Sequence, residues 1–512
     1  MNDTEQNENS YGHVLKYTGI FGGVQGLNIL ISLVRNKLVA LLLGPAGMGL
    51  AALFNSVVNF VSQATSFGIS FSAVRHLSEI FDSGDSVRIR TFVNTVRAWC
   101  AVAALLGMAV CVASAPAVGR YVLDGGSHML EIMALAPVVA MLAVTGGETA
   151  ILKGARRLRE LAVAQVCIVV LSLVLSVPLY WLLRYDGIVL VIFVTTAVNM
   201  LFTVKYSFRL FPVGGLACVV RRLGVRGVAA WLRRLLADGS GMVRLGVAFI
   251  VSGVFGSGAE MIIRSFLNNY ADLNTVGLYN AGYVMAVTYA GMVFSAMETD
   301  YFPRLSAVNH DTAAVNLAAN RQIEVSILMI SPMLTLLITM LPILIPLLYS
   351  GRFVAVVPMA QVAVLSMYAR AAMLPVAYIT LAKGHSRAYM VIEGASAVVF
   401  VVLMIVCFNA WGLVGAGVAV LLSNVADLVV IVIYAAMRYG YRLSRQVVAC
   451  AAVHVPLGLV AYFATFAGEA WMRVAVGVAA TAVSTAVSAY VIYRKTTLWN
   501  KIKEKILSRA GK

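Results

Sequence analysis

Apolar residues in this chain fall in long runs, not in the one-faced stripes or strict alternation of soluble helices and strands. Fourteen runs can be read, at about 14–36, 46–71, 91–115, 129–152, 160–183, 187–208, 242–267, 277–300, 322–349, 354–382, 387–409, 412–437, 446–467 and 471–493. Runs of about 20 residues are long enough for a helix to cross the hydrocarbon core of a bilayer. Transmembrane strands would alternate apolar and polar positions over about 10 residues, and that pattern is absent. The pattern predicts an all-α polytopic membrane protein of fourteen spans. The connections are short except for 209–241. That segment carries Arg209, Arg221, Arg222, Arg226, Arg233 and Arg234 against Asp238, and reads as a basic amphipathic helix on an anionic membrane face.

Composition agrees. Of 512 residues 61% are hydrophobic and 12% charged, with a mean hydropathy of +0.88. Soluble domains carry about 25% charged residues, so a soluble enzyme and a disordered chain are both excluded. The net charge of +17 would suggest nucleic acid in a soluble protein. Here the basic residues lie between apolar runs and mark cytoplasmic loops, and no nucleic-acid motif accompanies them. With the N-terminus in the cytoplasm, alternate loops collect Lys153, Arg156, Arg157, Arg159, the basic linker, Lys383, Arg387, Arg438, Arg442 and Arg445. The opposite face keeps only Arg35, Lys37, Arg120, Arg184, Arg264, Arg352 and Arg473. Both termini are therefore expected inside. The polar N-terminus lacks the basic start and cleavage site of a signal peptide, so the first span is expected to stay in the protein.

An internal repeat organises the chain. Arg35, Gly49-Leu50, Leu77-Ser78 and Lys153-Gly154 with Arg157 recur as Arg264, Gly277-Leu278, Leu305-Ser306 and Lys383-Gly384 with Arg387, at offsets of about 228 to 230 residues. The unit is six spans. An even number keeps both copies in one orientation, which predicts two lobes related by a pseudo-two-fold axis along the membrane normal. The expected layout is a cytoplasmic N-terminus (1–13), an N-lobe (14–208), the linker (209–241), a C-lobe (242–437), two additional helices (446–493) and a basic tail (494–512).

Several chemistries find no support. The six cysteines are scattered without a CxxC pair, no Cys/His cluster suggests a metal, and there is no GxxxxGK[ST] nucleotide loop. No nucleophile–base pair can be argued, so an enzyme is not expected. Pro332, Pro342, Pro346, Pro358 and Pro375 are expected to kink the ninth and tenth spans.

The ordered motifs resemble a known family. Gly44-Pro45-Ala46-Gly47-Met48-Gly49-Leu50-Ala51-Ala52 and Val74-Arg75-His76-Leu77-Ser78-Glu79 are similar to the first helices of bacterial O-antigen/polysaccharide flippases, in the multidrug/oligosaccharidyl-lipid/polysaccharide exporter superfamily. The second half adds Val276-Gly277-Leu278-Tyr279, Tyr301-Phe302-Pro303-Arg304-Leu305-Ser306 and Leu347-Leu348-Tyr349-Ser350-Gly351-Arg352-Phe353. The resemblance covers about 14–437. It implies a flippase moving an undecaprenyl-diphosphate-linked oligosaccharide from the cytoplasmic to the periplasmic leaflet of the bacterial inner membrane, by alternating access. Twelve spans are usual for the O-antigen branch, and fourteen also resembles lipid II flippases. A cation-coupled multidrug exporter of the same superfamily, and a non-transporting scaffold for glycan synthesis, are the alternatives. Besides the lipid-linked cargo, the expected partners are membrane lipids and a glycan polymerase or glycosyltransferases, with a monomer sufficient for the task.

Such a cargo sets demands on the residues. A glycan cannot cross hydrocarbon with its polar groups unpaired, and a diphosphate is best met by arginine. Arg35 and its repeat mate Arg264 lie in the outer halves of equivalent spans. Intramembrane charge usually faces a cavity, and snorkelling to headgroups is the competing reading. Arg370, near the middle of the tenth span, is too deep to snorkel. Lys37 is open between the two readings, and Arg97 is expected at the headgroups. These four, Arg35, Lys37, Arg264 and Arg370, form the candidate cationic lumen. For coupling to H⁺ or Na⁺ the candidates are Asp427, Glu260 and Glu148. Glu260 is spaced to pair with Arg264 on one helix face. Glu148 and Glu393 are shallow, with headgroup-level positions the plainer expectation. No other cofactor is expected.

Overall fold

The computed structural model describes residues 3–81, 84–123, 128–212 and 240–495, and no strand occurs among them. The helices are α1 (Asp3–Thr65), α2 (Ile69–Phe81), α3 (Ser86–Tyr121), α4 (Met129–Ala134), α5 (Ala136–Gly154), α6 (Leu158–Leu183), α7 (Gly187–Leu210), α8 (Ser240–Tyr270), α9 (Leu273–Tyr283), α10 (Tyr289–Ala307), α11 (Thr312–Leu348), α12 (Val357–Ala382), α13 (Ser386–Tyr439), α14 (Arg445–Ala464) and α15 (Ala470–Lys495). Among the described residues, ten stretches are long and apolar enough to cross a membrane. The sequence suggests fourteen. Three of the ten run through a tight break, at Gly44 in α1, at Arg184–Asp186 between α6 and α7, and at Trp411–Gly412 in α13. The expected span at 277–300 falls in α9 and α10, outside the ten. Most of the basic linker (213–239) and the tail beyond Lys495 lie outside the described residues.

The breaks have local causes. Gly44 takes φ 66° and ψ −170°. Pro45 drives its predecessor to an extended ψ, and glycine tolerates the positive φ that comes with it. The prolines expected to kink α11 do not break it. α11 runs continuously through Pro332, Pro342 and Pro346. Pro342 has no N–H, which frees the carbonyl one turn back. Gln361 of α12 donates its Nε2 to that Ile338 carbonyl at 3.0 Å. A neighbouring helix thus supplies the bond that the proline removes.

The repeat reappears in the backbone. After α5, the amides of Ala155, Arg156 and Arg157 donate to the carbonyls of Ile151, Lys153 and Leu152. After α12, those of Lys383, Gly384 and His385 donate in the same pattern to Ile379, Leu381 and Thr380. Arg156 and Gly384 both have positive φ, 56° and 76°. Arg157 and His385 then share φ −87° with ψ 56° and 55°. Arg184 and Gly412 are a third such pair, at φ 48° and 57°. All three pairs are 228 residues apart, as Gly49 and Gly277 are, so Ala155 and not Lys153 holds the place of Lys383, and the Lys-Gly dipeptides of the sequence repeat are not equivalent positions.

The chain forms two compact units. One is Met1–Gly277 with Leu348–Ser350; the other is Leu278–Leu347 with Gly351–Lys512. The lobe boundary expected near 242 therefore differs from the compact-unit boundary, because α8 packs with the first unit. Its Gly253 and Gly258 lie against Gln63 and Phe60 of α1. Ser265 and Asn269 donate to the Tyr121 carbonyl at 2.9 and 2.6 Å, and Asn268 to that of Val122 at 3.2 Å. Also in this unit, the second expected span stops at Thr65, and α2 follows as a separate amphipathic helix. Its buried face, Ile69, Ala73 and Leu77, packs on Val93, Val96, Cys100 and Ile151.

In the second unit α12 is the central helix, packed along α13, with Gly417 set directly against the Met359 backbone. The additional helices α14 and α15 dock on α11 and α12, with Gly458 against the Tyr368 ring and Gly477 against Thr339. A polar stripe on α11 holds their root. Asn316 accepts from the Arg442 amide (2.8 Å), Asn320 accepts from the Ser444 amide (2.8 Å) and donates to the Arg442 carbonyl (2.9 Å), and Glu324 pairs with Lys495 at 2.5 Å. Spaced four apart, the three share one helix face.

Candidate functional site

In the first unit, Arg35 lines a cavity of about 220 Å³. α1 supplies Ile31, Ser32 and Arg35, α6 supplies Ile168, Val169 and Ser172, and α7 supplies Thr195, Thr196 and Asn199. Each helix contributes positions i, i+1 and i+4, which fall on one face of a 3.6-residue helix. Arg35 is exposed to this space. Among the described residues no carboxylate pairs with it, and Tyr180 is close enough to feel its charge. Lys37, two positions along α1, is half-buried and does not line the cavity.

Arg264 lies in the same unit in a different state. It is 9% exposed and bonded to Glu260 at 2.9 Å, the pairing its i,i+4 spacing predicts. Glu260 itself is partly exposed.

Arg97 and Glu148 form a buried pair. Glu148 is 3% exposed. Arg97 grips it with two bonds, Nε to Oε1 at 2.8 Å and Nη2 to Oε2 at 3.2 Å. Nη1 also donates to the Phe211 carbonyl at 2.9 Å, and the guanidinium lies 4.3 Å from the Phe208 ring centre. Burial in a low dielectric favours bidentate pairing with further bonds. One arginine on α3 thus ties α5 to the end of α7, where the basic linker begins.

In the second unit, Arg370 of α12 is half-buried and interacts electrostatically with Asp427 and Glu393 of α13. Ser396 lies near Asp427, and Tyr389 near Glu393. The sequence pointed to Arg370 and Asp427 but set Glu393 apart as shallow. The structure brings all three together. Among the described residues, no group of three or more His, Cys, Asp and Glu could hold a metal ion.

A profile for polysaccharide biosynthesis proteins matches residues 38–358, well over half of the chain. The chain belongs to the polysaccharide biosynthesis protein family. No curated protein matches this family member in sequence. Solved structures share its fold. A multidrug resistance MATE family transporter of the MOP superfamily, in an inward-facing conformation, superposes with a TM-score of 0.64 at 16% identity, covering 81% of this chain and 94% of that one. The lipid II flippase MurJ in an inward closed conformation gives 0.62 at 11% identity, covering 92% and 99%. A MATE structure in complex with MaL6 gives 0.57 at 15% identity, covering 83% and 96%. The fold is thus one found in transporters and flippases, on a multi-pass helical membrane chain.

Proposed function

We propose that the protein is a flippase for an undecaprenyl-diphosphate-linked oligosaccharide, an O-antigen or other surface-polysaccharide unit. It would carry its cargo from the cytoplasmic to the periplasmic leaflet of a bacterial inner membrane by alternating access. The observation that carries this reading is Arg35: a guanidinium within an apolar helix, facing a polar cavity, with no carboxylate partner among the described residues. An anionic group is what such a site lacks. An exporter of organic cations would place a carboxylate there, and among the described residues none lines the cavity. Family membership supplies the second constraint, since polysaccharide assembly needs its lipid-linked intermediates on the far side of the membrane.

In this reading the chain crosses fourteen times with both termini in the cytoplasm. Arg35 meets the diphosphate first, and Arg264 and Arg370 join as the cycle proceeds. Coupling to H⁺ or Na⁺ falls to Asp427, beside Arg370, and to Glu260, whose neutralisation would release Arg264. Glu148 is assigned instead to holding α3, α5 and α7 together, as its bonds to Arg97 support.

The test is reconstitution of the full chain in liposomes with a fluorescent undecaprenyl-diphosphate oligosaccharide, followed by quencher accessibility. Wild type should flip it, and Arg35→Ala with Arg264→Ala should not. Absence of flipping under imposed H⁺ and Na⁺ gradients, with transport of a cationic dye instead, would replace this reading with the multidrug one. Glycan assembly in cells sustained by transport-dead variants would replace it with a scaffold.

A further inference from the structure

We propose that the cavity beside Arg35 is a sugar subsite: it binds the neutral, hydroxyl-bearing ring attached to the diphosphate, while Arg35 holds the phosphate. This rests on the lipid-linked substrate proposed above and adds residues and a specificity to it.

The lining carries the argument. Ser32, Ser172, Thr195, Thr196 and Asn199 surround Arg35 with hydroxyls and an amide, and no acid is present among the described lining residues. Serine and threonine in a helix usually turn their hydroxyl back to a carbonyl three or four residues earlier. Thr195 does so, to the Val191 carbonyl at 2.7 Å. Ser172 and Thr196 make no protein hydrogen bond among the described residues, although Ser172 is only 5% exposed. Both line the cavity, so each hydroxyl is placed to bond a guest. The oxygen of Asn199 accepts from Thr203 at 3.4 Å, which leaves its NH₂ for the cavity. Three apolar side chains, Ile31, Ile168 and Val169, complete the lining and suit the C–H face of a pyranose. At about 220 Å³ the cavity has room for a pyranose ring. A sugar brings donors and acceptors that would be unsatisfied in an apolar site. A cationic compound would meet Arg35 with no compensating acid.

The test uses the full chain in nanodiscs and two probes, undecaprenyl diphosphate and undecaprenyl-diphosphate-N-acetylglucosamine. The ratio of their dissociation constants on one preparation cancels any inactive fraction. Wild type should bind the sugar-bearing probe more tightly. Ser172→Ala and Asn199→Ala should each cut that preference by about threefold to tenfold, the worth of one hydrogen bond, with bare diphosphate binding unchanged. Arg35→Ala should weaken both probes alike. An unchanged ratio in both variants, or no preference in wild type, with Arg35-dependent binding of both probes retained, overturns the sugar subsite and leaves the diphosphate reading standing. Failure of wild type to bind either probe overturns both. Ser172→Thr, which keeps the hydroxyl, should keep the preference; its loss there would reduce Ser172 to a packing role and count against the subsite.

Discussion

Gly49 and Gly277 occupy equivalent places in the two halves of the sequence, and the structure sets them against each other. A Cβ built on Gly49 would come within 2.9 Å of the Gly277 nitrogen and closer still to the Leu273 carbonyl. A Cβ on Gly277 would come within 3.0 Å of the Gly49 nitrogen and closer still to the Pro45 carbonyl. Each glycine thus faces the residue four before its mate. Both obstacles are backbone, so no rotamer change relieves them. Alanine at either site should force α1 and α9 apart by upwards of ~1 Å, at the upper end of the ~1–3 kcal/mol typical of overpacking. The helix preference for alanine over glycine returns ~0.5–1 kcal/mol. The net cost should be about 2 kcal/mol for Gly49→Ala and about the same for Gly277→Ala.

The double variant is the sharper measurement. Once one Cβ has separated the backbones, the second meets little resistance. The pair should therefore cost about as much as either single, a coupling of about −2 kcal/mol, whereas independent sites add to within ~0.3–0.5 kcal/mol. Equilibrium unfolding in mixed micelles reads all three, with Gly256→Ala as control, since a Cβ there meets nothing within 4 Å. A double variant costing the sum of the singles would refute the shared contact. So would a control as damaging as either single.

Two further outcomes follow from buried and capped charges. Glu148→Leu leaves the Arg97 guanidinium buried without its counter-ion and should cost about 3–5 kcal/mol, while adding Arg97→Met should recover most of it; wild-type stability for Glu148→Leu alone would contradict the assignment of the pair. Asp272 caps α9 by accepting from the Thr275 amide and hydroxyl, both at 2.7 Å, and these bonds hold its carboxyl below the usual carboxylate range. A depressed folded pKa means the stabilisation is full above the unfolded value near 3.9 and is lost as pH falls through the folded one. Asp272→Ala should therefore cost about 1 kcal/mol at neutral pH, and the gap from wild type should narrow only below about pH 4, as thermal unfolding from pH 3 to 7 would show.

Much of the fold was legible because it is written in local pattern. Apolar runs report helices, and recurring dipeptides at a fixed offset report the duplication that the loops after α5 and α12 repeat bond for bond. Contacts between distant residues were not legible. Arg97 and Glu148 are 51 positions apart, and helical periodicity relates a residue only to its neighbours one turn away. Hence their pairing could not be read from either residue. Asn316, Asn320 and Glu324 stand four apart in plain view, yet the first two bond chiefly backbone at 440–444, which has no side-chain signature. The Gln361 that bonds the carbonyl freed by Pro342 arrives from another helix, which sequence cannot show. At the candidate site, a charge in a hydrophobic run announced Arg35. Ser172 and Thr196 passed unnoticed, since a hydroxyl turned to its own helix and one turned to a cavity look the same in a sequence.

Arg35 and Arg264 show how a duplication can keep a position and change its chemistry. One turn before Arg264 stands Glu260, which pairs with it; one turn before Arg35 stands Ile31, which lines the cavity instead. The i,i+4 neighbour decides whether each guanidinium is compensated within its own helix. An anion approaching α1 meets a full positive charge among hydroxyls. An anion approaching α8 must compete with a carboxylate already in place. The present difference leaves the guanidinium of α1 open to an anion in the cavity, while that of α8 is already held by Glu260.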